Sequence, residues 1–152
     1  MAGHVVTRYL TSLKKYQIYN LSRSKLNSQT IVLDVQNKKE FKEQLIGLKP
    51  DIIINCIGIL VEQSEKRHSK AVYVNSFLPH FLSDLGKELN FKLIHLSTDC
   101  VFSGKKGNYT ENEFKDATDF YGRTKALGEV INDSDLTIRT SIIGPELKQN
   151  GT

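Results

Sequence analysis

The stretch "LSTDC", residues 96–100, is followed 23 positions after Thr98 by Tyr121 and, four residues on, by Lys125. On a helix, positions four apart share a face, so Tyr121 and Lys125 stand side by side there. Alone they could be an ordinary solvated pair. A strand-end threonine bordering the same crevice makes them a workable proton-transfer site. Free tyrosine has a pKa of about 10, too high for ready exchange at neutral pH, and a lysine ammonium one turn away stabilises the phenolate. Thr98 would hydrogen-bond the reacting oxygen and hold it for Tyr121.

Positioning these groups requires a scaffold, and 152 residues are about one domain's worth. Hydrophobic residues at 39% and charged residues at 25% are ordinary for a water-soluble globular chain. No apolar run nears the roughly 18 residues that span a bilayer, and the N-terminus lacks the charged-then-apolar pattern of a signal peptide. Cys56 and Cys100 lie far apart without a Cys/His cluster, so no metal site is expected and a reducing cytoplasm fits. The 21 basic and 17 acidic residues give a net charge of +4, but the basic ones are scattered over different elements. That argues against nucleic acid as a partner and for a mostly solvated surface.

Along the chain, strand-like and helical patterns alternate. "VVTRYLTSLKK" has helical spacing; "YQIYNLS" and "TIVLDV" are short β-prone runs. "KKEFKEQLIGLK" is an amphipathic helix expected to end at Gly47 and Pro50. "DIIINCIG" reads as a strand covered on both faces. "AVYVNSFLPHFLSDLGKEL" reads as a helix kinked at Pro79. "FKLIHLST" is strand, the following polar stretch is loop, "FYGRTKALGEVI" is helix and "LTIRTSII" is strand. The fold class is therefore α/β: a Rossmann-like doubly wound parallel sheet with helices on both faces. Such sheets usually open with a strand and a glycine-rich turn, whereas this chain opens with a helix. Gly3 stands where the last glycine of a G-x-x-G-x-x-G turn would be. Either the domain begins with a helix or, as favoured here, the first strand and its turn are missing, about ten residues.

Ligands of open α/β sheets bind at the carboxyl ends of the strands. After "YQIYNL" stand Ser22 and Arg23, where a dinucleotide fold binding unphosphorylated ribose would place an acid. A guanidinium can pair bidentately with a 2′-phosphate, favouring NADP(H) over NAD(H); otherwise Arg23 is a loop arginine. Asp34 could accept from an adenine amino group or cap the next helix. Residues 55–59, "NCIGI", include small side chains that would let a cofactor pass close to the backbone. Asn75, within an apolar helix, must find partners if buried and could tie neighbouring strand ends together.

"Tyr121-Gly-Arg-Thr-Lys125", "Leu96-Ser-Thr-Asp-Cys-Val-Phe-Ser-Gly104" and "Ile138-Arg-Thr-Ser-Ile-Ile-Gly-Pro145" resemble the extended short-chain dehydrogenase/reductase superfamily. The nearest branch is the dTDP-4-dehydrorhamnose reductase-like sugar-nucleotide enzymes, and the resemblance covers almost the whole chain. It implies a catalytic trio of Thr98, Tyr121 and Lys125. Tyr121 would protonate a 4-keto oxygen, Thr98 would orient it, and Lys125 would bind the nicotinamide ribose. It also implies cofactor contacts from Met1 and Gly3, from Asp34 and Val35, from Cys56, Ile57 and Gly58, and from Ser141 to Gly144. Ser22, Arg23 and Asn75 complete the expected cofactor set. Cys100 departs from the tyrosine usual in the reductases and from the glutamate of related dehydratases, which disfavours dehydration.

The function so implied is NADP(H)-dependent, possible also with NAD(H), reduction of a 4-keto sugar nucleotide in polysaccharide precursor synthesis. The alternatives are a sugar-nucleotide epimerase, or a non-catalytic regulatory subunit similar to that of methionine adenosyltransferase. Residues 1–152 would be the NAD(P)-binding domain, in part, with the sugar-recognising portion absent and a gap in mid-sheet. A sugar nucleotide is the expected partner, with no nucleic acid and no membrane; a homodimer stays open.

Overall fold

The structure is a computed structural model describing residues 2–142. They fall into two compact units, divided after Pro50.

In the first unit, α1 (Ala2–Ser12) has the expected apolar spacing but buries none of its residues. Strands β1 (Asn20–Ser22) and β2 (Thr30–Val32) pair in parallel, with Leu21 opposite Ile31. Helix α2 (Lys38–Leu48) is started by Asn37, whose side chain accepts from the Glu40 amide and donates to its carboxylate at 2.6 Å. Asn37 rather than Asp34 is therefore the side chain that caps the helix. Asp34 instead accepts from the Gln36 amide at 3.0 Å, closing a short turn. Gly47 does not end α2. The helix runs on to Lys49, which takes the left-handed conformation (φ 46°) and returns its N–H to the Leu45 carbonyl. Phe41 and Leu45, one turn apart, are its buried face.

The second unit holds a three-stranded sheet in the order β3 (Ile52–Asn55), β4 (Lys92–Leu96), β5 (Leu136–Ile138), all parallel. It is separate from the two-stranded sheet of the first unit. After β3 come α3 (Val61–Lys66) and α4 (His68–Ala71), which passes through a π-helical stretch, Val72–Phe77, into α5 (Leu78–Leu89). The irregularity expected at Pro79 therefore lies ahead of it. Pro79 is the second residue of α5, inside this continuous helical run, where a proline has no N–H to give the turn before it. Ala71, Val74, Leu78, Leu82 and Leu85 recur at helical spacing and are buried, with Phe91 and Leu93 of the β4 segment also in the core. Helix α6 (Phe120–Leu127) follows a long polar loop. Among the described residues, no helix is long and apolar enough to cross a membrane.

Candidate active site

Two residues past the end of β4 stands a buried Thr98, which caps a short 3-10 turn, Asp99–Val101. Its hydroxyl accepts from the Cys100 amide and donates to the Asp99 carboxylate, both at 3.2 Å. The Asp99 carboxyl is held below its ordinary range, chiefly by the Ser141 hydroxyl that donates to it. Helix α6 begins beside this turn. Asp119 accepts from the Gly122 amide at 2.8 Å, and Glu65 of α3 accepts from the Phe120 amide at 3.1 Å. A Cβ on Gly122 would lie 2.3 Å from the Cys100 carbonyl oxygen and 2.6 Å from the Ala117 Cβ. The glycine in "YGRTK" is thus what lets α6 touch the strand-end turn. One helical turn and a half further, a Cβ on Gly128 would lie 1.8 Å from the Asn75 carbonyl oxygen. Two glycines seat α6 against two backbone carbonyls.

This seating brings Tyr121 beside Thr98, whose side chain acts on the Tyr121 phenol. Tyr121 is half-buried, and burial raises its pKa above the ordinary value; the Thr98 bond pulls the other way, and Cys100, Asp99 and Asp119 add to the rise. The expected lowering by Lys125 is therefore not found. Lys125 is itself buried, its Nζ donating to the Leu96 carbonyl at 2.7 Å and lying 3.3 Å from His95 Nε2. Burial brings its pKa down to about 8, against the opposing pull of Glu129. An amine so placed stabilises a neighbouring phenolate weakly, because it is reluctant to be charged.

The expected cofactor residues divide between the units. Cys56, Ile57 and Gly58 follow β3, half-buried to exposed. A Cβ on Gly58 would meet nothing closer than Asn75 Oδ1 at 3.7 Å, so packing within the protein does not demand glycine there. Asn75 is fully buried and its amide is spent. Its Oδ1 accepts from the Ile59 amide at 2.8 Å, and its Nδ2 donates to the Ile59 carbonyl at 3.0 Å and to Thr124 Oγ1 at 3.2 Å. It ties the post-β3 loop to α6 rather than strand end to strand end. The first unit carries Gly3 in the opening turn of α1, Ser22 at the end of β1, and Arg23 and Asp34, both exposed, with Val35 buried. Met1, Ile143 and Gly144 lie outside the described residues.

Two features were not anticipated. His95 is fully buried on β4, and burial together with the Lys125 charge holds its pKa at about 3. Glu129, its side chain 1% exposed, accepts two hydrogen bonds from Arg139 (both 2.8 Å), one from Ser97 (2.7 Å) and an ion pair from Lys115 (3.0 Å). Burial pushes its pKa up, but these partners prevail and bring it to about 2. Glu129 thereby joins the end of β4, the end of β5, the polar loop and α6. The adjacency of Glu129 to Gly128 was visible; its partners, scattered over 97–139, were not.

Parallel strands alternating with helices, with hydroxyl, phenol and amine gathered at one strand's carboxyl end, define a Rossmann-like α/β protein. The chain belongs to the family described as the RmlD substrate binding domain, whose model matches residues 3–150. It is 30% identical over 145 residues to a dTDP-4-dehydrorhamnose reductase of Aggregatibacter actinomycetemcomitans, covering 91% of this chain and 47% of the relative. Among solved structures, a hypothetical dTDP-4-dehydrorhamnose reductase of Sulfolobus tokodaii superposes with a TM-score of 0.84 at 28% identity, over 91% of this chain and 52% of that one. A dTDP-4-dehydrorhamnose reductase of Bacillus anthracis, in complex with NADP, gives 0.77 at 24% identity, over 90% and 48%. The chain spans about half the length of the relatives it matches.

Proposed function

We propose that residues 1–152 are the dinucleotide-binding part of an NADP(H)-dependent oxidoreductase of the short-chain dehydrogenase/reductase type. Its substrate is a sugar nucleotide bearing a 4-keto group, and its place is the cytoplasm. The observation that carries this reading is the convergence of Thr98, Tyr121 and Lys125 at the carboxyl end of β4. The relatives' names supply the substrate class, and the NADP held by a structural neighbour supplies the cofactor class.

When bound, NADPH supplies a hydride to the carbonyl carbon. The chain's own residues handle the oxygen. The raised pKa of Tyr121 keeps it protonated at neutral pH, the form that donates. A developing alkoxide is a far stronger base than a phenolate, so transfer from Tyr121 to the substrate oxygen runs downhill. The Thr98 hydroxyl, beside Tyr121, orients that oxygen. Lys125 offers an N–H to ribose hydroxyls. Gly58 leaves clearance that the protein itself does not fill, and Arg23, exposed and with no partner among the described residues, suits a 2′-phosphate.

Mixing the complete enzyme, of which residues 1–152 form the dinucleotide-binding part, with NADPH and dTDP-4-dehydrorhamnose tests the reading. Stoichiometric loss of NADPH absorbance with formation of the hydroxyl sugar is expected. Conversion of sugar without net loss of NADPH would replace the reading with epimerisation, and binding of NADPH without conversion would replace it with a regulatory role.

A further inference from the structure

Tyr121 stands between two ties that lead to the same loop. After it, Thr124 Oγ1 donates to the Tyr121 carbonyl at 2.9 Å and accepts from Asn75 Nδ2 at 3.2 Å, and Asn75 holds both backbone groups of Ile59. Before it, Phe120 is gripped from outside α6. Glu65 Oε1 of α3 accepts from the Phe120 amide at 3.1 Å, and the His68 ring stacks on the Phe120 ring with centroids 4.1 Å apart. The backbone beneath Glu65 is itself anchored, since the adjacent Ser64 is fully buried and its hydroxyl donates to the Ile59 carbonyl at 3.0 Å. The first amides of a helix have no partner within it, and water can serve an exposed one. A carboxylate brought from another element to that amide adds direction as well as energy.

We propose that Glu65 is a positioning residue for Tyr121: by fastening Phe120 to α3, it aims the phenol at Thr98 and at the oxygen to be protonated there. Asp119 caps α6 through the Gly122 amide and leaves the Phe120 amide to Glu65, so the two carboxylates do separate work. Both ties end at Ile59, which directly follows Cys56, Ile57 and Gly58, the segment expected along the cofactor. The proton donor and that segment thus share one frame. Proton transfer by the aimed phenol rests on the reductase reading. The dependence of Tyr121's place on Glu65 does not, and it is measured without substrate or cofactor.

The test compares the complete enzyme with its Glu65→Ala and Glu65→Gln variants. Glu65 is exposed, so neither change disturbs the core, and the side-chain oxygen in Glu65→Gln still accepts from the Phe120 amide. With NADPH and dTDP-4-dehydrorhamnose, Glu65→Ala should lower kcat about tenfold or more with KM for NADPH nearly unchanged, and Glu65→Gln should recover most of the loss. A wild-type kcat in Glu65→Ala overturns the proposal, as does a Glu65→Gln variant as slow as Glu65→Ala. Proton NMR without substrate then follows the cross-relaxation between the Tyr121 ring and the Thr98 methyl group. It should be present in the wild type and in Glu65→Gln and be lost or much weakened in Glu65→Ala; an unchanged signal in Glu65→Ala overturns the proposal whatever the activities are. A wild type that reduces no sugar, with the Tyr121–Thr98 signal still dependent on Glu65, would remove the reductase reading and leave the positioning of Tyr121 supported.

Discussion

Tyr121 and Lys125 do different work from what their spacing alone suggests. Four residues apart, they read as a phenol with a charge partner, yet Lys125 turns inward to the Leu96 carbonyl and His95, and Tyr121 meets Thr98. The buried surroundings that make Tyr121 a reluctant base keep it loaded as an acid. Arg23 is a second residue whose type carries a specific expectation. Charge-assisted bonds to a phosphate contribute about 1.5–3 kcal/mol, so Arg23→Ala should weaken NADPH binding at least about tenfold and leave NADH binding nearly unchanged. Equal losses for both, measured by titration calorimetry, would remove the 2′-phosphate role. The residue types at Thr98, Tyr121 and Lys125 were legible in the sequence because short motifs announce them. His95 was not, because a single histidine in an apolar strand carries no signal until its neighbours Asn55 and Lys125 are placed around it.

Among the elements, α6 is positioned by absence of side chains. Gly122 lies under the Cys100 carbonyl and Gly128 under the Asn75 carbonyl, and backbone carbonyls cannot step aside as flexible side chains do. Gly128→Ala should therefore cost about 1–3 kcal/mol or more in urea unfolding and displace α6, with loss of turnover. Wild-type stability in that variant would show that α6 is held otherwise. Alternation of apolar and helical patterns disclosed every strand and the helices α1, α2, α5 and α6, because periodicity survives without tertiary context, but not the short α3 and α4. Boundaries were less accessible. The helix α2 passes through Gly47 because a glycine only weakens a helix, and it stops at Lys49, whose left-handed backbone is set by the chain's exit toward Pro50. The cap at Asn37 was not singled out in the sequence, where Asp34 stood as the candidate helix start. The π-helical stretch before Pro79 had no sequence signal beyond the proline itself.

For the whole molecule, three buried titratable groups set how stability responds to pH. His95 ordinarily titrates at 6.5 but at about 3 when folded, and Glu129 at 4.5 but at about 2. Between each pair of values the unfolded chain binds a proton that the folded chain refuses, so stability falls as pH drops from 6.5 toward 2. Lys125, moved from 10.5 to about 8, has the same sign: its burial penalty fades as pH rises from 8 to 10.5. Urea midpoints should therefore decline through the acid window, and less steeply between pH 6.5 and 3 in His95→Gln; a flat wild-type profile would contradict the buried, neutral imidazole. Delivery of the proton by Tyr121 is read out by Tyr121→Phe in the complete enzyme, assayed for NADPH oxidation with dTDP-4-dehydrorhamnose. Turnover should fall by a factor of about 10² to 10⁴ with NADPH affinity nearly unchanged; a variant that keeps most of its activity would show that the proton comes from elsewhere.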